Sequence, residues 1–239
     1  MMFESLFTLE SLFALISLTM IEIILGIDNV IFISILVDRV EKDKKEMTRK
    51  LGIFFALFTR LLLLFFISFI MGLNEPLFII FDQSISGRDL TLILGGLFLF
   101  IKSIDEIHNF IEDKISDDIT MKTKQYSNVW LVVLQIAFID IIFSIDSVIT
   151  AIGLANHIEI MVVAIVIAVF FMLFFSKVIS DVINQYPSLK MLALAFLFVV
   201  GVVLIADGLD YHIPKGYVYF SLFFSFFVEL LNIKLRKKN

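Results

Sequence analysis

EIILGIDNVI, residues 22–31, lies in one of the most apolar stretches of the chain, yet it carries a glutamate, an aspartate and an asparagine within eight positions. An ionisable residue in a membrane-spanning helix costs roughly 2.5 to 3.5 kcal/mol on insertion scales, so two of them need a reason. That reason begins 118 residues further on, where residues 140–149 read DIIFSIDSVI. Six of the ten positions are identical; Glu22 is matched by Asp140, Asp28 by Asp146 and Asn29 by Ser147. Isoleucines and valines recur cheaply in apolar helices, but two acids at the same six-residue spacing do not.

The surroundings are those of a membrane protein. Of 239 residues, 60% are hydrophobic, 28 are phenylalanine and the mean hydropathy is +1.01, against about 45 to 50% apolar in soluble domains. Charged residues make up 18% and gather in short clusters between apolar runs, so their placement says more than the formal charge of -5. The absence of cysteine excludes disulfides, thiolate metal sites and cysteine nucleophiles. Three histidines, at 108, 157 and 212, are too scattered for a histidine-rich cage.

A spanning helix needs about 20 apolar residues. Seven segments meet that measure: residues 9–37, 50–72, 89–109, 128–154, 158–180, 189–208 and 216–234. Strict alternation of the barrel-strand kind is absent, so the expected fold is all-α, with the segments between, 74–88 included, read as connections. The N-terminus has no basic region ahead of its first apolar run, which is therefore expected to remain as an anchor. Lysine and arginine are retained on the cytoplasmic side. They crowd at 39–50, at 114–124, at Lys177 and Lys190 and in the tail, whereas the alternate loops hold only Arg88 and Lys215. This places the N-terminus outside and the C-terminus in the cytoplasm.

If the first three helices (9–110) repeat as the next three (128–208), the odd number forces the halves into opposite orientations. The seventh helix, 216–234, is left over. Many secondary transporters use inverted repeats to set a site near the bilayer midplane. A cation also recurs in the second helix of each half: Arg60 follows Glu22 by 38 residues and Lys177 follows Asp140 by 37. Lys177 is close enough to a helix end to snorkel, which makes its match the weaker one.

On a regular helix Glu22, Gly26 and Asn29 share a stripe, as do Asp140, Ser144 and Ser147. Asp28 and Asp146 lie about 120° around the axis. Either each helix presents polar groups to two neighbours, or it loosens near Gly26 and Ser144 so that carbonyls join the cluster. Carboxylates, an amide and hydroxyls are hard oxygen ligands, suited to magnesium, calcium, manganese, sodium or protons and not to copper or zinc. Four acids against Arg60 leave excess negative charge, which a divalent cation or bound protons would offset. The plainer reading is that carboxylates pair with Arg60 and hold the helices in register. Lys102, Asp105, Glu106 and His108 read as an interfacial cap, and Gly95 and Gly96 as a place of close helix packing.

The stretches EIILGIDNVIFISILVDRV and AFIDIIFSIDSVITAIGLA, with RDLTLILGGLFLF, PSLKMLALAFLFVVG and IPKGYVYFSLFFSFFVELLN, resemble the TerC family of bacterial inner-membrane proteins over nearly the whole chain. The resemblance is to the compact branch that consists of the membrane domain alone, so residues 1–239 are expected to form one transmembrane domain. It implies a seven-helix fold of the lysine-exporter-like superfamily, built from two inverted three-helix halves and a C-terminal helix. It also implies a link to tellurium-resistance operons, manganese export and metal supply to exported enzymes. The family's intramembrane acids correspond to Glu22, Asp28, Asp140 and Asp146, with Asn29 and Ser147 beside them.

The expected function is export of a divalent cation such as manganese through these six residues, with Arg60 as charge partner and protons as counter-substrate. No permanently bound cofactor, no enzymatic activity and no nucleic-acid partner are expected; the bilayer is the surrounding, and the oligomeric state is left open. An intramembrane aspartyl protease is disfavoured, because such enzymes set an aspartate in a Gly-x-Gly-Asp context whereas Asp146 sits in FSIDSV. The alternative is a non-transporting membrane partner in metal or tellurite stress.

Overall fold

A computed structural model of the chain describes residues 9–80, 83–116, 128–154 and 158–236; within them, the side chains of residues 10, 68, 69, 80, 83, 113–116, 146 and 150–154 are not described. The fold is all-α apart from one small hairpin. Helix α1 covers Leu9–Asp38, α2 Lys45–Phe65, α3 Ile67–Gly72, α4 Gly87–Ser116, α5 Val129–Leu154, α6 Ile158–Gln185, α7 Pro187–Gly208 and α8 Lys215–Arg236. Strands β1, Pro76–Ile80, and β2, Gln83–Ser86, pair antiparallel with Phe78 opposite Ile85 and Ile79 opposite Ser84. The connection expected at 74–88 thus contains a hairpin, and the segment expected at 50–72 is divided at Phe66 into α2 and α3.

Local chemistry sets several of these boundaries. The main-chain N–H and hydroxyl of Ser86 donate to Oδ2 of Asp89, at 2.9 and 2.6 Å, and the Asp89 N–H returns a bond to the Ser86 hydroxyl at 3.2 Å. This reciprocal capping box satisfies otherwise orphaned donors at the start of α4. Tyr186 is extended and Pro187 opens α7, where its missing N–H costs nothing. The same helix ends with Asp210 in the left-handed region, φ 64°, while the Tyr211 N–H donates to the Ala206 carbonyl at 2.9 Å. That is the Schellman closure, with aspartate in place of the usual glycine.

By length and composition, five helices among the described residues are able to cross a membrane: Ser11–Asp38, Val129–Ile149, Ile158–Gln185, Pro187–Gly208 and Lys215–Arg236. Seven were expected. The two that fall short, α2 and α4, carry the charges of their own ends and, in α2, Arg60.

The core forms around the second half of α1, where every residue from Asp28 to Val37 is buried, as befits an interior helix. Three helix pairings organise the rest: α1 with α6, α2 with α5, and α4 with α7. Gly26 lets Met172 of α6 approach, since a Cβ there would stand 2.7 Å from its sulfur, and Gly52 does the same for Ile136 of α5. The α4–α7 contact is backbone against backbone. A Cβ on Gly96 would lie 2.7 Å from the Gly201 carbonyl oxygen, and one on Gly201 would lie 2.9 Å from that of Gly96. Asp89 meets Gly208 at the other end of the contact, so the two helices run antiparallel. In contrast, α8 has no buried residue and lies at the periphery, with Phe220, Phe223 and Phe224 exposed.

Candidate functional site

Helix α2 buries Gly52, Ala56, Arg60 and Leu64, a stripe at four-residue spacing that points Arg60 into the bundle. Arg60 is 2% exposed, so bulk water does not reach its guanidinium. It donates instead from Nη1 to Oε2 of Glu22 on α1, at 2.7 Å, and from Nε and Nη2 to Oδ1 of Asp140 on α5, at 3.2 and 3.1 Å. One cation thereby joins the first acid of each decapeptide. A buried pair is sustained only when the remaining lone pairs are also met, and at Asp140 they are. Its Oδ1 accepts from Nδ2 of Asn29 at 2.9 Å, and its Oδ2 accepts from the hydroxyls of Thr59, 3.1 Å, and Ser144, 3.2 Å.

Asp28 is on another face. Both α1 and α5 are continuous helices through Gly26 and Ser144, so the acids are delivered by helical geometry and not by an unwound segment. The angular offset of Asp28 from Glu22 turns it away from Arg60's carboxylate partners and toward α8, where the Tyr219 hydroxyl donates to its Oδ2 at 3.2 Å. Its Oδ1 is buried with no hydrogen-bond partner. Asp28 lines a cavity of about 40 Å³ together with Arg60, Ser147, Leu204, Lys215 and Tyr219, large enough for water or a small ion. An orphaned buried carboxylate oxygen is costly and marks a place where a ligand or water belongs.

Of the six expected ligands, Glu22, Asn29 and Asp140 converge on Arg60, while Asp28 and Ser147 line the cavity. The Ser147 hydroxyl also donates to the Ser144 carbonyl at 3.2 Å. Asp146 lies in α5, and its side chain is outside the described residues. Among the described residues no three His, Cys, Asp or Glu side chains form a metal-sized cluster. Lys177, matched to Arg60 by spacing, is exposed and takes no part.

Three participants were not foreseen, the first of them Thr59, which precedes Arg60 and bonds Asp140. Tyr219 stands in an aromatic run with Tyr217, Ser221 and Ser225, and nothing in the sequence singles out its hydroxyl. Lys215 was assigned to a loop, whereas it is the first residue of α8 and reaches the cavity. Within the group expected as an interfacial cap, Glu106 accepts from Arg39 at 2.6 Å from Nε and pairs with its Nη2 at 2.5 Å. Beside it Asp38 accepts from both Lys45, 2.6 Å, and Lys190. These contacts tie together the end of α1, the start of α2, α4 and the start of α7.

Comparison with known proteins bears on this arrangement. A Haemophilus influenzae protein named "UPF0053 protein" is 49% identical over 237 residues, covering 99% of each chain. The Escherichia coli "UPF0053 inner membrane protein YgdQ" is 47% identical over 226 residues, 95% of this chain and 94% of that one. The longer "UPF0053 inner membrane protein YoaE" of Escherichia coli is 43% identical over 218 residues, 91% of this chain but 42% of its own length. No solved structure matches the chain. The model of the integral membrane protein TerC family matches residues 7–239, and the chain belongs to that family.

Proposed function

We propose that this protein is a membrane transporter that carries a divalent cation, such as manganese, outward through the buried carboxylate site. The observation that carries the reading is Asp28: a buried carboxylate with one unpartnered oxygen, on a cavity between helices, while Glu22 and Asp140 are engaged by Arg60. Hard cations bind such oxygens, and Ser147 adds a hydroxyl. Glu22, Arg60, Asp140 and Asn29 hold α1, α2 and α5 in register around the site. Asp146, matched to Asp28 by the repeat, is proposed as its counterpart from α5. Protons serve as counter-substrate.

The proposed architecture is seven spans in two inverted three-helix halves. It is supported by how the pairings exchange: α1 with α6 and α2 with α5 are equivalent contacts if α1 matches α5 and α2 matches α6, and the α4–α7 crossing then maps onto itself. The self-mapping contact is antiparallel and centred on two glycines. For α2 and α4, packing along the apolar helices α5 and α7 supports a transmembrane course despite their charges. Collection of Arg39, Lys45 and Lys190 at one end of the bundle supports a cytoplasmic location of that end.

Manganese(II) flux into proteoliposomes tests the reading. Folded Asp28→Asn and Asp146→Asn variants are expected to lose transport, and a parental rate in either overturns the mechanism. One observation favours the alternative, a non-transporting partner in metal or tellurite stress. The Glu22–Arg60–Asp140 set is internally satisfied, as a purely structural lock would be. That reading gains if the purified protein binds no cation and co-purifies with one specific protein.

A further inference from the structure

We propose that α8 is a working part of the cation site: Lys215 is a tethered counter-cation that balances Asp28 when no cargo is bound and is displaced when cargo arrives, while Tyr219 keeps the carboxylate oriented. The inference rests on the cation-transport reading and adds to it an element outside the two repeated halves.

Charge is the starting point. Glu22, Asp28 and Asp140 are three buried carboxylates, and Arg60 is the buried guanidinium that faces them. If these four are ionised, their charges sum to two negative, which matches the charge of one divalent cation. Three of the five N–H donors of Arg60 go to Glu22 and Asp140 at 2.7 to 3.2 Å, whereas Asp28 accepts from Tyr219 on Oδ2 and has no partner on Oδ1. The other cation lining the same cavity is Lys215. Its ammonium is a compact point charge on a flexible stem, and in that position it offsets half of the excess.

Position makes the displacement feasible. Lys215 is the first residue of α8, follows the non-helical stretch 211–214 and is only half-buried. No residue of α8 is fully buried, so a shift of its first turn disturbs only the partial contact that Val218 makes with the core. Tyr219, one turn on, reaches Asp28 from the same face and bonds Oδ2, leaving Oδ1 without a partner. A transport site must bind firmly enough to load and weakly enough to empty. A resident lysine that competes with cargo lowers affinity by the coupling between the two, and it takes over the carboxylate as cargo leaves.

The test uses the purified full-length chain, with manganese(II) as probe, calorimetry for binding, proteoliposomes for flux and melting in metal-free detergent. K215Q is expected to bind manganese(II) about tenfold more tightly and to show slower flux at saturating metal, because release is delayed. K215R should keep the parental values. Metal-free K215Q should melt below the parent and recover either on adding manganese(II) or in the K215Q/D28N double variant, where no uncompensated carboxylate remains. If K215Q alone does not fold, folding of K215Q/D28N at the parental melting temperature supports the pairing and its failure overturns it. Parental affinity and melting temperature in K215Q overturn the inference while leaving transport intact. A parent that binds no manganese(II), with Asp28→Asn still rescuing K215Q, overturns instead the cation reading and the displacement step that depends on it.

Discussion

The side-chain amide of Asn29 donates to Oδ1 of Asp140 at 2.9 Å, a contact between residues 111 positions apart that joins the two matched decapeptides directly. The first copy of the motif thereby helps to complete the second. Asn29 has no charge of its own, but it helps to fill the lone pairs of an acid that only Arg60 neutralises. Beside this set two buried oxygens have no hydrogen-bond partner, Oδ1 of Asn29 and Oδ1 of Asp28, and the second is a carboxylate oxygen.

Removing Arg60 should be far worse than removing the whole set. Arg60→Met leaves Glu22 and Asp140 buried without compensation, and breaking a buried pair in this way costs about 3 to 5 kcal/mol. Poor yield and a sharply lowered melting temperature in detergent are the expected outcome. The triple variant Glu22→Gln, Arg60→Met, Asp140→Asn should recover most of the loss, because no charge is left unpaired. A triple variant as unstable as Arg60→Met alone would show that packing, and not charge, sets the role of Arg60.

The α4–α7 crossing gives a second, independent test. A methyl group at Gly96 or Gly201 meets backbone atoms of the opposite helix at 2.7 to 2.9 Å, and backbone cannot swing aside as a side chain can. Gly96→Ala and Gly201→Ala should each destabilise by about 1 to 3 kcal/mol, the usual range for overpacking. Gly72 is the control: a Cβ there has nothing within 4 Å. Gly72→Ala should be neutral or stabilising by about 0.4 to 1 kcal/mol, through the unfolded chain. Melting temperatures of the three variants decide.

The membrane class and the duplicated acidic motif were legible in the sequence because both depend on local chemistry. Long apolar runs have one favourable environment, and the spacing of Glu22 and Asp28 survives in Asp140 and Asp146. Which acid faces which neighbour was not legible, because a 120° turn about α1 matters only once α2, α5 and α8 are in place. In α1 the open choice between a loosened helix and two polar faces is decided for the second: Glu22 and Asn29 face Arg60 and Asp140, and Asp28 faces Tyr219. The hairpin at 76–86 was missed because its apolar residues carry no Asn-Gly or Asp-Gly turn signal. Lys215 was assigned to a loop because a cation at a helix start is usually solvated. Its reach to the cavity depends on the short turn after α7.

The proposed orientation can be read with single cysteines, since the parent has none. His212 is exposed between α7 and α8, and Lys42 is exposed between α1 and α2. With the N-terminus outside, His212→Cys should react with a membrane-impermeant maleimide in intact spheroplasts. Lys42→Cys should react only after the membrane is opened. The reverse pattern would invert the topology and turn the proposed exporter's cytoplasmic ion pairs, Arg39–Glu106 and Asp38–Lys190, toward the other side.

Asp28 should separate stability from function. Its carboxylate is 4% exposed, accepts one hydrogen bond from Tyr219 and has a second oxygen with none. Asp28→Asn keeps the shape and removes the buried charge, so the metal-free variant should melt at the parental temperature or a few degrees above it, as is common when a functional site is neutralised. Transport of manganese(II) should fall to background in the same preparation. A variant that is destabilised and inactive would assign Asp28 to the structural lock with Glu22 and Asp140. Stability gained together with transport lost is the signature of a carboxylate kept for its cargo, because a group held for folding alone gives up stability when its charge is removed.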